Sequence, residues 1–169
     1  MKIILIRHGK PDIDTHQKLT SDEMAQWIAA YDRSEVSENP PAALAQFLST
    51  KRSLAIASSL PRAIASIKKL GIEPTVIDSD FREAQLPLIN LPWLKISPLI
   101  YAFWLRILRL AGFAVKVDSR SLSQQRAARA AGKLIQLADN NQNVVLMEHG
   151  VFHRMLGAMF ETVGLSVTA

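Results

Sequence analysis

Residues 1–11 read MKIILIRHGKP, and the way this stretch ends decides the fold. Ile3-Ile4-Leu5-Ile6 is an uncharged, β-branched run of the length of a short buried strand. Gly9 and Pro11 punctuate it, so the strand stops there. Arg7 and His8 then fall at its C-terminal tip. In open α/β sheets ligands bind outside the carboxyl ends of the strands. A cation and an imidazole at that position suit an anion.

The same pattern returns late in the chain. Asn143-Val-Val-Leu-Met147 is a second apolar run, closed by Glu148-His149-Gly150. LIRHG and LMEHG are thus two strand tips of one design. Between them, Ser53–Ser58 is a further apolar strand and runs into SSLPR, which places Arg62 near the start of a helix. Thr75-Val-Ile77 is another short strand. Helical signals alternate with these runs. Thr20 and Glu23 fit a capping box ahead of Met24, Trp27, Ile28 and Tyr31. Pro40-Pro41 opens a helix with Leu44, Phe47 and Leu48 on one face. Gly71 ends the helix that carries Arg62. Ser97, Pro98 and Gly112 bracket a helix, Ser123 to Leu137 form a long Ala- and Arg-rich one, and Asn140-Asn141 read as a turn. A last helix spans about Phe152 to Val163. Alternating strands and helices predict a three-layer α/β/α sandwich around a mostly parallel sheet.

Length and composition agree with one domain. The chain has 169 residues, 49% of them hydrophobic and 21% charged, enough to bury a core and too apolar for disorder. It contains no cysteine. A disulfide scaffold, a thiolate nucleophile and a zinc-thiolate site are therefore excluded, and a reducing, cytoplasmic setting is compatible. The net charge of +5 is uneven. Residues 11–39 carry Asp12, Asp14, Asp22, Glu23, Asp32, Glu35 and Glu38 against Lys18 and Arg33. Residues 88–138 carry eight bases against Asp118 alone. A basic half suits an anionic partner or a solvated face. Nucleic acid is the least suited partner, because the bases lack an interleaved aromatic platform.

The residues at the three strand ends suggest a chemistry. Arg presents a planar fork that matches phosphate oxygens. A helix start adds unpaired amides beside Arg62. A neutral His can attack phosphorus and split one hard transfer into two easier steps. A second His can donate to the equatorial oxygens. A buried or dianion-facing carboxylic acid can protonate the leaving oxygen.

RHG near the N-terminus, SSLPRA after the second strand, FREAQLP and a late LMEHG together resemble the histidine phosphatase superfamily, the phosphoglycerate-mutase-like family. The four blocks stand in that family's order and span almost the whole chain. The resemblance implies that His8 is the phosphorylated nucleophile and that Arg7 and Arg62 clamp the phosphoryl group, with Gly9 beside them. It implies that His149 is the second pocket histidine, that Glu83 is the proton donor, and that neither a metal nor an organic cofactor is used. The implied function is a phosphatase acting on a phosphorylated small molecule or a phosphoprotein. A non-catalytic phosphate-binding module of the same fold and a phosphoglycerate-type mutase are the alternatives. Asp80 and Glu148 are rivals of Glu83 for the acid, and His16 and His153 read as surface or helix-packing residues.

Three departures from the family pattern stand out. Glu148 precedes the second His where a small residue is usual; it either repels phosphate or points into the neighbouring layer. No match is found for the Asn that follows RHG in many members. The chain after His149 is short, and a final strand is expected to be missing or rudimentary. Residues 86–118 read as an apolar and basic lid or insertion. Its helix, PLIYAFWLRILRLA at 98–111, places Arg106 and Arg109 on one narrow side of the wheel. It is read as a packed lid, a dimer contact or a peripheral membrane contact. The uncharged stretch Ile96 to Leu105 is half of the roughly 20 residues that a membrane span needs.

Overall fold

The structure, a computed structural model, describes residues 2–50, 52–83, 93–110, 120–141 and 143–162. The chain opens with β1 (Lys2–Arg7), followed by α1 (Ser21–Arg33), α2 (Ala42–Ser49), β2 (Leu54–Ser58), α3 (Pro61–Lys69) and β3 (Val76–Asp78). A single 3-10 turn at Ser79–Phe81 comes next. Then come α4 (Pro98–Leu110), α5 (Arg120–Asn141), β4 (Asn143–Glu148) and α6 (Gly150–Thr162).

The strands pair in the order β1-β4-β2-β3, and every pair is parallel. Register brings Arg7 opposite Glu148 and Ser58 opposite Asp78. The RHG, EHG and SS tips therefore lie side by side along the carboxyl end of the sheet. Alternation sorts the rest. Leu5, Ile56, Val144 and Leu146 face a core built with α5 and α6, around Leu134, Phe152 and Leu156. Ala55, Ala57, Val145 and Met147 face the opposite way, onto Leu48 of α2 and Ala63 and Ile67 of α3. Both faces of the sheet are covered, as a parallel sheet requires. The architecture is the expected three-layer α/β/α sandwich.

Local chemistry explains the boundaries. Thr20 and Glu23 form the expected capping box, with the Thr20 N–H donating to the Glu23 carboxylate at 2.8 Å. Pro61 occupies the first turn of α3, and Gly71 follows it with φ of 76°, a left-handed conformation that glycine adopts without a Cβ penalty. Two boundaries differ from expectation. The long helix α5 covers Asn140-Asn141, so these residues end a helix rather than form a turn. It packs Ala127, Ala130, Ala131, Leu134 and Ala138 on the sheet, and this burial outweighs the weak helix propensity of the Asn pair. Helix α6 starts at Gly150, directly after His149.

Helix α4 seats Tyr101 and Leu105 against Met24 and Trp27 of α1 and against Leu19. Leu19 and Ile96 exchange backbone hydrogen bonds of 2.9 and 3.1 Å, which ties the entry of α4 to that of α1. The expected lid thus has a packed helix at its centre; 86–92 and 111–118, and the expected loss of a final strand after residue 162, lie outside the described residues. Among the described residues no helix is long and apolar enough to cross a membrane.

Candidate active site

His8 and His149 face each other with ring centroids 4.9 Å apart. Both are buried, as are Ser58, Arg62 and Glu148. A backbone bond locks the first tip, because the His8 N–H donates to the Glu148 carbonyl at 3.0 Å. The His8 side chain is oriented too. Its Nδ1 lies 2.6 Å from the Gly9 carbonyl oxygen, which can only accept, so Nδ1 carries the hydrogen and Nε2 keeps its lone pair. Burial pushes the His8 pKa down from 6.5 to about 4, against the raising effect of the Gly9 bond, and Arg62 and Arg7 lower it further. The imidazole is neutral at neutral pH.

The hydrogen on His149 follows from Ser58. The Leu60 N–H donates to Ser58 Oγ at 3.4 Å, and Oγ lies 2.8 Å from His149 Nε2. A hydroxyl carries one hydrogen and two lone pairs, and a Ser58 that donates its hydrogen to Nε2 leaves His149 with an Nδ1–H. That Nδ1 is buried and has no partner among the described residues. Burial, then the Arg62, His8, Arg126 and Arg7 charges, hold His149 neutral far below its ordinary range.

Arg62 is 1% exposed. It enters from the first turn of α3, and its guanidinium is held in place by α1. One nitrogen donates to the Tyr31 carbonyl at 3.0 Å and lies 3.5 Å from an Asp32 oxygen, and the guanidinium carbon sits 4.3 Å from the Tyr31 ring centre. Its Nε is buried without a partner among the described residues. Buried donors without acceptors are costly. Arg62 Nε and His149 Nδ1 are two such donors around one centre, and an anion would satisfy both. Arg7, which is exposed, runs across Gly150. A Cβ on that glycine would come within 3.1 Å of the guanidinium, a tight approach that Arg7 would have to ease by shifting.

The remaining expected residues fall on both sides of this centre. Glu83 rests on the first turn of α6, accepting the Val151 and Phe152 N–H groups at 3.3 and 3.2 Å. That places its carboxyl one turn from His149. Asp80 acts on Lys133, which pairs with Asp78, and so belongs to the α5 side of the sheet end. Gly9 follows directly on His8 at the same tip. Its N–H donates to Ser66 Oγ at 3.0 Å, and Ser66 in turn donates to the Arg62 carbonyl at 2.7 Å. That amide braces the tip against α3. Glu148 has the strand parity of Val144 and Leu146, so it points into the α5/α6 layer, where its carboxyl meets His153. His153 is thereby a partner of Glu148, and His16 is exposed.

Ser58, Ser66, Tyr31 and Asp32 were not singled out from the sequence. Ser58 lies in the quoted SSLPRA block and carries a readable signal. Tyr31 and Asp32 carry none, since their contribution is a backbone carbonyl, a ring face and a carboxylate delivered by helix packing. No group of three or more metal-ligating side chains occurs among the described residues.

No protein-family model matches the sequence, and no curated protein matches it. Solved structures do match. A mycobacterial glucosyl-3-phosphoglycerate phosphatase, solved with VO3, aligns with a TM-score of 0.61 at 22% identity over 95% of this chain and 82% of that one. A putative α-ribazole-5'-P phosphatase of Escherichia coli gives 0.60 at 18% identity over 98% and 80%. A phosphoglycerate mutase of Thermus thermophilus gives 0.56 at 24% identity over 92% and 81%. The chain has the phosphoglycerate-mutase-like fold, shared by these phosphatase and mutase structures.

Proposed function

We propose that this protein is a phosphatase that works through a phosphohistidine on His8. The observation that carries the reading is the pairing of a neutral His8, its lone pair held on Nε2 by the Gly9 carbonyl, with two buried and unpartnered donors, Arg62 Nε and His149 Nδ1. The fold, shared with solved phosphatases and a mutase, supports it.

In the first half-reaction His8 Nε2 attacks phosphorus as the bond to the leaving oxygen breaks. Arg7, Arg62 and His149 bind the three equatorial oxygens, where charge gathers. Glu83, as an acid, gives its proton to the leaving oxygen. In the second half-reaction the Glu83 carboxylate takes a proton from water. The water oxygen bonds to phosphorus, the N–P bond breaks, and phosphate leaves with His8 neutral again. No step calls for a metal or an organic cofactor.

The substrate is proposed to be a phosphoric monoester on a small molecule or a phosphoprotein in the cytoplasm. The chain is read as one domain, with 86–118 as its cap. The non-catalytic alternative rested on Glu148 as a charge beside the phosphate and on the short C-terminus; Glu148 lies on the buried α5/α6 side, which favours the phosphatase.

The test is turnover of an aryl phosphate across pH by the wild type and His8→Ala, with acid-quench mass analysis. Turnover with an acid-labile phosphate on the wild type alone is expected. A variant that turns over as fast as the wild type would sink the reading.

A further inference from the structure

Glu148 is a fully buried carboxyl that this mechanism leaves unused. Its Oε2 accepts the backbone N–H of His149 at 3.2 Å, and its Oε1 lies 2.6 Å from His153 Nδ1. His153 then turns back. Its backbone N–H donates to the His149 carbonyl at 2.8 Å. The peptide groups of His149 are thus held on both sides, by the side chain of Glu148 and by the backbone N–H of His153 in the first turn of α6, and the side chains of those two residues are bonded to each other. The loop closes over the last residue of β4 and the first turn of α6, the joint that aims the His149 ring.

We infer that Glu148 and His153 are positioning residues for His149, a bonded pair that locks its main chain at the joint of β4 and α6. The charged and titratable groups facing the pair are Arg7 from β1, Glu83 from the segment after the 3-10 turn, His149, and Arg154 on α6. Burial dominates and lifts the Glu148 pKa to about 9, with Glu83 adding to the rise, while the His149 N–H and Arg7 oppose it. Burial also lowers His153, helped by Arg7 and Arg154. The acid therefore donates its O–H to Nδ1 and accepts the His149 N–H on its other oxygen. Were it ionised, a carboxylate would compete with the phosphoryl group for Arg7.

The inference rests on the phosphatase reading for its kinetic readout, so a second readout is independent of turnover. Glu148→Gln reproduces the neutral acid, since its carbonyl oxygen accepts from His149 and its NH2 donates to His153. Glu148→Ala removes both bonds. With an aryl phosphate, the Gln variant should keep kcat/KM within about threefold of wild type at pH 7, and it should lack the fall expected of wild type as Glu148 ionises, at about pH 9. The Ala variant should lose kcat by roughly tenfold or more with KM little changed, as expected when a catalytic group is misaimed. Amide hydrogen exchange at His149 should accelerate in the Ala variant and stay slow in the Gln variant. A Gln variant as impaired as Ala would show that the carboxylate form is required and overturn the inference. So would an Ala variant with wild-type kinetics and wild-type exchange. If wild type itself lacks turnover, the phosphatase reading fails, and the exchange comparison still decides the positioning pair. Should the Ala variant fail to fold, the pH profile and exchange of the Gln variant carry the decision.

Discussion

The tips of β1, β2 and β4 and the outer face of α4 break the inside-outside rule in opposite directions. At the strand tips Arg62, His8, His149, Ser58 and Glu148 are polar and buried. On α4, Leu99, Ile100, Phe103 and Trp104 are apolar and about half exposed, and Trp93, ahead of the helix, is 79% exposed. The two violations differ in cost. A buried donor without an acceptor costs about 1–3 kcal/mol, so the tips are held together only by dense bonding through Gly9, Ser58, Tyr31 and Glu148. An exposed apolar side chain costs the fold little, because the unfolded chain exposes it too. The tips are therefore constrained by the fold, whereas the outer α4 side chains are left free of that constraint.

Substitutions at the two places should separate them. Arg62→Met keeps the length and apolar packing of the side chain and removes its donors. The kcat for an aryl phosphate should fall by roughly 10²–10³-fold, the usual loss when an oxyanion donor is removed, as steady-state turnover would read. An unchanged kcat would mean that the unpartnered Nε does not face the phosphoryl group.

Acid should act on the tips next. His8 has a folded pKa of about 4 against an ordinary 6.5, so between those values the unfolded chain binds a proton that the native state refuses. Stability is then lost as pH falls below 6.5. Thermal melts of wild type from pH 7 to pH 5 should show a decline, and His8→Asn should decline less. Parallel curves would contradict burial as the cause of the shift.

The smallest effect is expected on α4. Phe103→Glu with Trp104→Lys should leave aryl phosphate turnover unchanged and shift stability by within about 0.5 kcal/mol. Leu105→Ala, on the buried side against Met24 and Trp27, should cost about 2–5 kcal/mol in denaturant melts. A large loss from the outer pair would show that this face packs on the protein itself.

Much of this was legible in the sequence because it is local. Each strand tip announces itself through an apolar run that stops at His-Gly, the SSLPR block sets Arg62 at a helix start, and the capping box of Thr20 and Glu23 needs only residues three apart. Parallel strands covered on both faces follow from the same runs, so the three layers and the meeting of Arg7, His8, Arg62 and His149 could be read in advance. The extent of α5 could not. Asn140-Asn141 has turn chemistry, and the sheet beneath the helix overrides it.

What the sequence by itself determined is which residues stand at the carboxyl ends of the strands, since strand periodicity and chain punctuation operate over a few residues. Tertiary structure alone decided how those residues are charged and aimed. Burial neutralises His8 and Glu148, strand parity turns Glu148 toward His153 and away from the phosphate clamp, and α1 brings the Tyr31 carbonyl to Arg62 across 31 residues of chain. Desolvation and long-range hydrogen bonds depend on what is packed around a group, and that information exists only once the layers have closed.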